Sequence, residues 1–253
     1  MSYFNQDHHF ALLSVQANGL GSETSLQAAY RRLLDLHTSL YPKLRKHGFD
    51  LSTEVFPNTT TPLTSIANPN DPETLMFGFS RTRSQALTVE GMMGREGDVE
   101  LRRHPIIELR LTPTHFVVEL VVSPFAWYDQ QNFAGKMTFE QHRTALVKLL
   151  GKMNQPYHLG FWSGTQLSEM HLTTGQLPPA RLVSEWLSTF AAGRDHFRIG
   201  RWYEVEDAAL TEQNALHEVF DRVRDLYNVY EFVAWTSNNN FHSFYARRMA
   251  ARA

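Results

Sequence analysis

Residues 99–123, VELRRHPIIELRLTPTHFVVELVVS, restrict the fold of this chain more than any other stretch. Two runs rich in aliphatic and β-branched residues flank Thr112-Pro113-Thr114-His115. Proline presets φ for a turn and has no N–H to give a central ladder, so it marks the corner of a β-hairpin. With Pro113 and Thr114 as the loop, counting outward pairs Leu111 with Phe116, Arg110 with Val117, Leu109 with Val118 and Glu108 with Glu119. Side chains alternate along a strand, so Leu109, Leu111, Phe116 and Val118 share an apolar face that belongs on a core. The opposite face carries Glu108, Arg110, Val117, Glu119 and Val121. It would continue to Glu100, Arg102 and His104 if the first strand ran straight, but Pro105 points to an edge or bulge there.

Glu108 facing Glu119 needs compensation, because like charges directly opposite cost up to about 1 kcal/mol on a solvated sheet. Arg110, two places from Glu108 on the same face, or Arg102 is the expected partner in a salt-bridge lattice. The sharper reading is chemical: paired carboxylates on a hairpin can hold a metal or do acid–base work, as in restriction-type nucleases. Those place a lysine two residues after the second acid, and Val121 stands here. Glu108 and Glu119 are therefore weak catalytic candidates.

Composition sets the class. The chain has 253 residues, 42% hydrophobic and 12% aromatic, enough for a sizeable core. With 24 basic and 26 acidic residues the formal net charge is −2, which offers no field for nucleic acid or anionic lipid. The absence of cysteine excludes disulfides, thiolate catalysis and cysteine-ligated metal, and fits a reducing cytoplasm. The N-terminus lacks a basic region followed by an apolar one, and no run approaches the roughly 18 apolar residues of a membrane span. A soluble cytoplasmic protein is expected.

Along the chain, residues 10–16 read as a short strand and residues 18–22 as a turn. A helix starts at Glu23, with Leu26, Tyr30, Leu33, His37, Leu40 and Leu44 on one stripe. Pro42 predicts a break between residues 38 and 41, and Gly48 a stop. The strand–GxG–helix order near Gly19 and Gly21 lacks a third glycine, Thr24 standing in its place, so a plain turn is the better reading than a dinucleotide loop. Residues 49–56 read as a strand, 57–72 as a loop or lid, 75–80 as a strand and 84–93 as a helix ending at Gly94. Beyond the hairpin, Ser123-Pro124 predicts a helix through Ala134. Thr138 with Gln141 suggests a capping box for a second helix, to Leu150. Strands are expected over 157–162, 166–172, 197–205 and 229–235. Helices are expected after Pro179 and from Thr211 to Leu226, and a basic tail carries Arg247, Arg248 and Arg252.

Two strands look alike: Tyr157-His158-Leu159-Gly160-Phe161-Trp162 and Phe197-Arg198-Ile199-Gly200-Arg201-Trp202 stand 40 residues apart. A degenerate helix–strand repeat would put Trp162 and Trp202 in equivalent places, as core residues or as two walls of one cleft. Gly160 and Gly200 within strands suggest bulges or close backbone approach.

Other constellations are weaker. His217-Glu218-Val219-Phe220-Asp221 resembles HExxH with aspartate last, a pattern commoner on a wet helix face than in a metal site. His8 and His9 read as exposed. The GFWSG sequence at 160–164 has its serine one place late for a nucleophile elbow, and no P-loop occurs. Six arginines between residues 81 and 110 are offset by five acids, leaving a local charge of +1. Residues 127–132, WYDQQN, cover more than one helical turn, so some of these polar groups face inward, where they can hold a ligand or bracket neighbouring strands.

The expected architecture is α+β: a mainly antiparallel sheet with helices packed on one face, treated as one domain over 1–253 with lobes at 1–97 and 98–253 as the alternative. The expected function is that of a cytoplasmic binding or interaction protein, with a protein partner or small molecule as ligand and neither cofactor nor metal. The alternatives are a metal-dependent hydrolase or nuclease using Glu108 and Glu119, or a small-ligand domain with a pocket drawn from Trp127, Gln131, His158, Trp162, Trp202 and Arg110.

Overall fold

The structure is a computed structural model that describes residues 1–13, 23–53, 74–95, 99–153 and 155–250. The turn at 18–22, the loop at 57–72 and Arg252 lie outside the described residues, as do the side chains of Arg247 and Arg248. In chain order the helices are α1 (Gln6–Leu13), α2 (Glu23–Lys46), α3 (Arg83–Met92), α4 (Trp127–Met137), α5 (Glu140–Leu150), α6 (Ala180–Leu187), α7 (Ala215–Val233) and α8 (Phe241–Ala250). The strands are β1 (Leu75–Phe79), β2 (Ile106–Leu111), β3 (His115–Val122), β4 (His158–Gly160), β5 (His171–Thr173) and β6 (Phe197–Glu204). They form one sheet in the order β1-β2-β3-β6-β4-β5, every neighbouring pair antiparallel. The fold is α+β. No helix among the described residues is long and apolar enough to cross a membrane.

The hairpin register is the one counted from the sequence: Leu111 faces Phe116 and Glu108 faces Glu119, with Thr112 N–H donating to His115 O at 2.9 Å across the turn. One sheet face runs Phe79–Ile107–Leu120–Ile199–Leu159–Leu172 from edge to edge. It lies on a core built with Leu33, Leu40 and Leu44 of α2, Phe133 of α4, Leu146 of α5, Val183 of α6 and Val219, Val223 and Leu226 of α7. The apolar clusters on the opposite face contain no residue of α1–α8: Met76, Ile106 and Val121 form one, with Leu101 of a single 3-10 turn against it, and Val117, Trp162 and Trp202 form another, with Leu167. Helices thus cover one face, and loops and indoles cover the other.

Several expected elements differ. Residues 10–13 belong to α1, not a strand; Asn5 Oδ1 accepts from His8 N–H at its start, and His8, His9, Ala11 and Leu12 are buried at helical spacing. His9 is therefore not exposed, and its Nδ1 lies 2.7 Å from Thr112 O. α2 runs on through Pro42, one turn short of its end, where the proline withholds one donor while Leu40 and Leu44 stay buried on either side of it. Residues 49–53 make only the isolated bridge Ser52–Ser80. Thr138 forms no capping box; its hydroxyl donates to Gly135 O at 2.7 Å, and Phe139 opens α5 with no side-chain cap. The largest revision is at residues 229–233, which are the end of α7 and not a strand. Leu226, Val229, Tyr230 and Val233 are buried at spacings of three and four, and this stripe outweighs the β-propensity of the run. Residues from 241 form α8.

The two similar strands are neighbours. β4 pairs with β6 about Leu159–Ile199, His158 facing Gly200 and Gly160 facing Arg198. Both glycines mark close approach. A Cβ on Gly160 would sit 2.5 Å from the Trp162 ring, and one on Gly200 would sit 2.6 Å from Glu119 Cβ and 2.8 Å from its Cα. The second clash is with backbone and cannot be relieved by a rotamer change. Gly200→Ala should lower the unfolding free energy by about 1–3 kcal/mol, read as a shifted denaturant midpoint; an unchanged midpoint would show that β3 and β6 can part freely here.

Candidate functional site

The row Gly78–Glu108–Glu119–Gly200–His158–Thr173 crosses the second sheet face. Arg110 lies one step away on β2, and Arg198 one step the other way on β6. Arg110 Nη1 donates to Glu108 at 2.6 Å and Nη2 to Glu119 at 3.0 Å. Arg198 Nη2 donates to the same Glu119 oxygen, and Nη1 to Gly164 O at 2.5 Å. All four charged side chains are fully buried. The indoles close over them: Trp162 lies 4.7 Å from the Arg198 guanidinium, and Trp202 lies 5.2 Å from that of Arg110. Trp162 is itself fixed by its N–H to Gln166 O at 3.0 Å.

Burial alone would raise the Glu119 carboxyl, but Arg198 and Arg110 overcome it and hold the carboxyl below its usual range. The expected lattice is thus present, and it is dry rather than solvated. Glu108 and Glu119 answer two guanidinium groups in a closed layer, an arrangement that serves the sheet. Among the described residues no group of three or more His, Asp or Glu is placed to hold a metal ion. The HExxD run on α7 is likewise occupied: Glu218 accepts from Tyr203 Oη at 2.7 Å, and Asp221 pairs with Arg224 at 2.9 Å.

Of the sequence-derived ligand residues, Arg110, His158, Trp162 and Trp202 share this face. His158 stacks edge-on against His171 at 4.6 Å, and burial with His171 and Arg201 nearby pushes its imidazole down to about 4. Trp127 and Gln131 stand on α4. Trp127, 49% exposed, lines a shallow groove with Arg95, Arg102 and Phe125, while Gln131 is half-buried. The inward polar residues of α4 are Asp129, Gln130, Asn132 and Lys136, and they act as brackets. Gln130 donates to Val122 O and Asp195 O, and Asn132 donates to Val233 O and accepts from Phe241 N–H. The arginines of residues 81–110 do not share one face: Arg110 is in the sheet, Arg95, Arg102 and Arg103 line the groove, and Arg81 lines a separate cleft.

That cleft was not foreseen. It has a volume of about 430 Å³ and lies between α3, the end of α7 and residues 234–239. Thr82 starts α3 with a capping box to Gln85, which fixes Gln85, Thr88 and Val89 as one wall. Tyr227 and Tyr230, stacked at 6.0 Å, and Trp235 form the other. Arg81 follows β1 directly and sits buried at the cleft, donating to Asp129 of α4 and hydrogen-bonded to Tyr230. Trp235 N–H also donates to Asp129, at 2.7 Å. Burial outweighs these partners and pushes the Asp129 carboxyl up; burial likewise lifts the Tyr230 hydroxyl to about 12. Asp129 Oδ2 has no hydrogen-bond partner among the described residues. Asp50 and Glu231 stand exposed at the cleft edge, Asp50 taking a 2.5 Å hydrogen bond from Gln85. Lys136 and Asn239 close the end of α7, Lys136 Nζ donating to Phe232 O and Asn239 Oδ1, each at 2.5 Å.

The signal for this cleft was Tyr227, Tyr230 and Glu231 at helical spacing, hidden by reading the end of α7 as a strand. The sequence matches no protein-family model and no curated protein, so function is read from the site alone.

Glu119→Ala leaves two buried guanidinium groups short of a carboxylate. It should cost about 3–5 kcal/mol of unfolding free energy, and a loss under about 1 kcal/mol would mean that the layer is wet. Stability should also fall with acid before the carboxylates titrate. His104, His158 and His196 are pushed by burial to about 3, about 4 and about 4, below the ordinary 6.5. Neutral imidazole is therefore favoured in the folded state. Its contribution is complete above pH 6.5 and is lost as pH falls towards 4. Denaturant midpoints across this window should decline, and less steeply in His158→Gln; a flat profile would refute the assignment.

Proposed function

We propose that this protein is a small-ligand-binding module of the cytoplasm, and that its site is the cleft between α3 and the end of α7. The observation that carries this reading is the coincidence, in one concavity of about 430 Å³, of aromatic walls with a buried, pre-positioned guanidinium. Ligand sites are typically concave, aromatic-lined and supplied with a few fixed polar groups, at roughly 300–1,000 Å³. Arg81 and Tyr230 are held by other side chains, and Gln85 by the Thr82 backbone N–H and the Asp50 carboxylate, before any ligand arrives, which lowers the ordering cost of binding. The paired carboxylates of the hairpin lend the hydrolase reading little support, since both are engaged by guanidinium groups.

A protein-partner surface is the second reading. It is favoured by Phe125, 58% exposed, and Trp127 beside it, with the Arg102 guanidinium 5.1 Å over the Phe125 ring. Exposed aromatics with arginine are the composition of interaction hot spots.

A ligand selective for the folded cleft should raise the thermal midpoint by mass action, worth about 2.7 kcal/mol at a hundredfold excess over Kd. The shift should vanish in Trp235→Ala and persist in Trp127→Ala. The opposite pattern would move the site to the groove, and no shift across a broad panel of polar metabolites would leave the partner surface as the better account.

A further inference from the structure

The cleft's electrostatics narrow its ligand, an inference that rests on the cleft being the binding site. The lining carries two carboxylates, Asp50 and Glu231, against one cation, Arg81. Arg81 is already answered from behind by Asp129, so its positive charge is spent inside the protein. Arg45 approaches Asp50 only to 4.0 Å, from a position about half exposed. Water screens such a pair strongly, and it offsets little of the cleft's negative field.

The walls add to that field. An aromatic ring presents a negative face, and a cation within about 6 Å of its centroid is attracted. Tyr227 and Tyr230 lie nearly parallel, 13° apart, with Trp235 completing the lining. Such faces favour a soft, weakly hydrated cation over a metal ion, because a metal would have to shed a tightly held hydration shell. Neither anionic ligands nor phosphate find an uncommitted cation among the lining residues.

We propose that the cleft binds an organic ammonium cation, its charged head against Tyr227, Tyr230 and Trp235 and its charge balanced by Asp50 and Glu231. Both carboxylates are exposed, so neutralising them leaves the core untouched.

The test uses three probes of nearly one shape: choline, its uncharged carbon isostere dimethylbutanol, and the matching carboxylate dimethylbutanoate. Binding is followed by tryptophan fluorescence and calorimetry on the full chain. Choline should bind at least about tenfold more tightly than the isostere. Glu231→Gln and Asp50→Asn should each weaken choline several-fold, leave the isostere unchanged and preserve the thermal midpoint of the free protein. Equal binding of choline and isostere, or preference for the carboxylate, lost in either case in Trp235→Ala, would overturn the charge assignment while keeping the cleft as a ligand site. Failure of all three probes to bind would overturn the ammonium assignment, while a shift from the wider metabolite panel, lost in Trp235→Ala, would still uphold the cleft.

Discussion

Glu119 sits between two guanidinium groups, and the central sheet is arranged around that contact. Removing four charged side chains from water is costly unless each finds a partner of good geometry. Here the partners come from three adjacent strands: Glu108 and Arg110 from β2, Glu119 from β3 and Arg198 from β6. A one-residue slip between any two would turn its strand's charges into the apolar core and its leucines outward. The quartet therefore specifies register more than it supplies stability, and its two acids and two bases leave no net charge in the layer. Gly200 belongs to the same solution, since only a missing Cβ lets Glu119 lie across β6. Trp162 uses Gly160 in the same way on β4.

The hairpin was legible because it is a local problem. One proline, a strict alternation and a two-residue loop fix every partner from Glu108 to Glu119. The conflict between those two acids was legible too, and so was Arg110 as part of its relief. The second guanidinium was not, because Arg198 arrives from a strand 79 residues away from Glu119 and nothing in either segment names the other. The closeness of Gly160 and Gly200 to crossing side chains could be anticipated from glycine within strands. Which side chains crossed could not.

The cleft was missed for a different reason. Residues 229–235 are rich in valine and aromatics, and a short apolar run looks alike in a strand and in the buried stripe of a helix. Once α7 is seen to continue to Val233, Tyr227, Tyr230 and Glu231 fall along one side of it, and Asp129, read only as one of several inward polar residues, becomes the post to which Arg81 and the Trp235 backbone are tied. Trp127 and Gln131, chosen from the same helix by composition, stand on other sides of α4 from that post.

Helix α7 divides its labour along its length. Its buried positions Val219, Val223, Leu226 and Val233 belong to the core under the sheet, whereas Glu231, in its last turn, stands exposed at the cleft, and Tyr227 lines the cleft while half-buried against the edge of that core. Recognition and foldedness thus meet on the two tyrosines of this segment and separate at Glu231. Drift at Glu231 can retune what is bound at little cost to folding, while Tyr227 and Tyr230, shared between core and cleft, tie the two together. A lineage of such proteins could diverge widely in ligand while Tyr230 and its Arg81–Asp129 anchor stayed fixed.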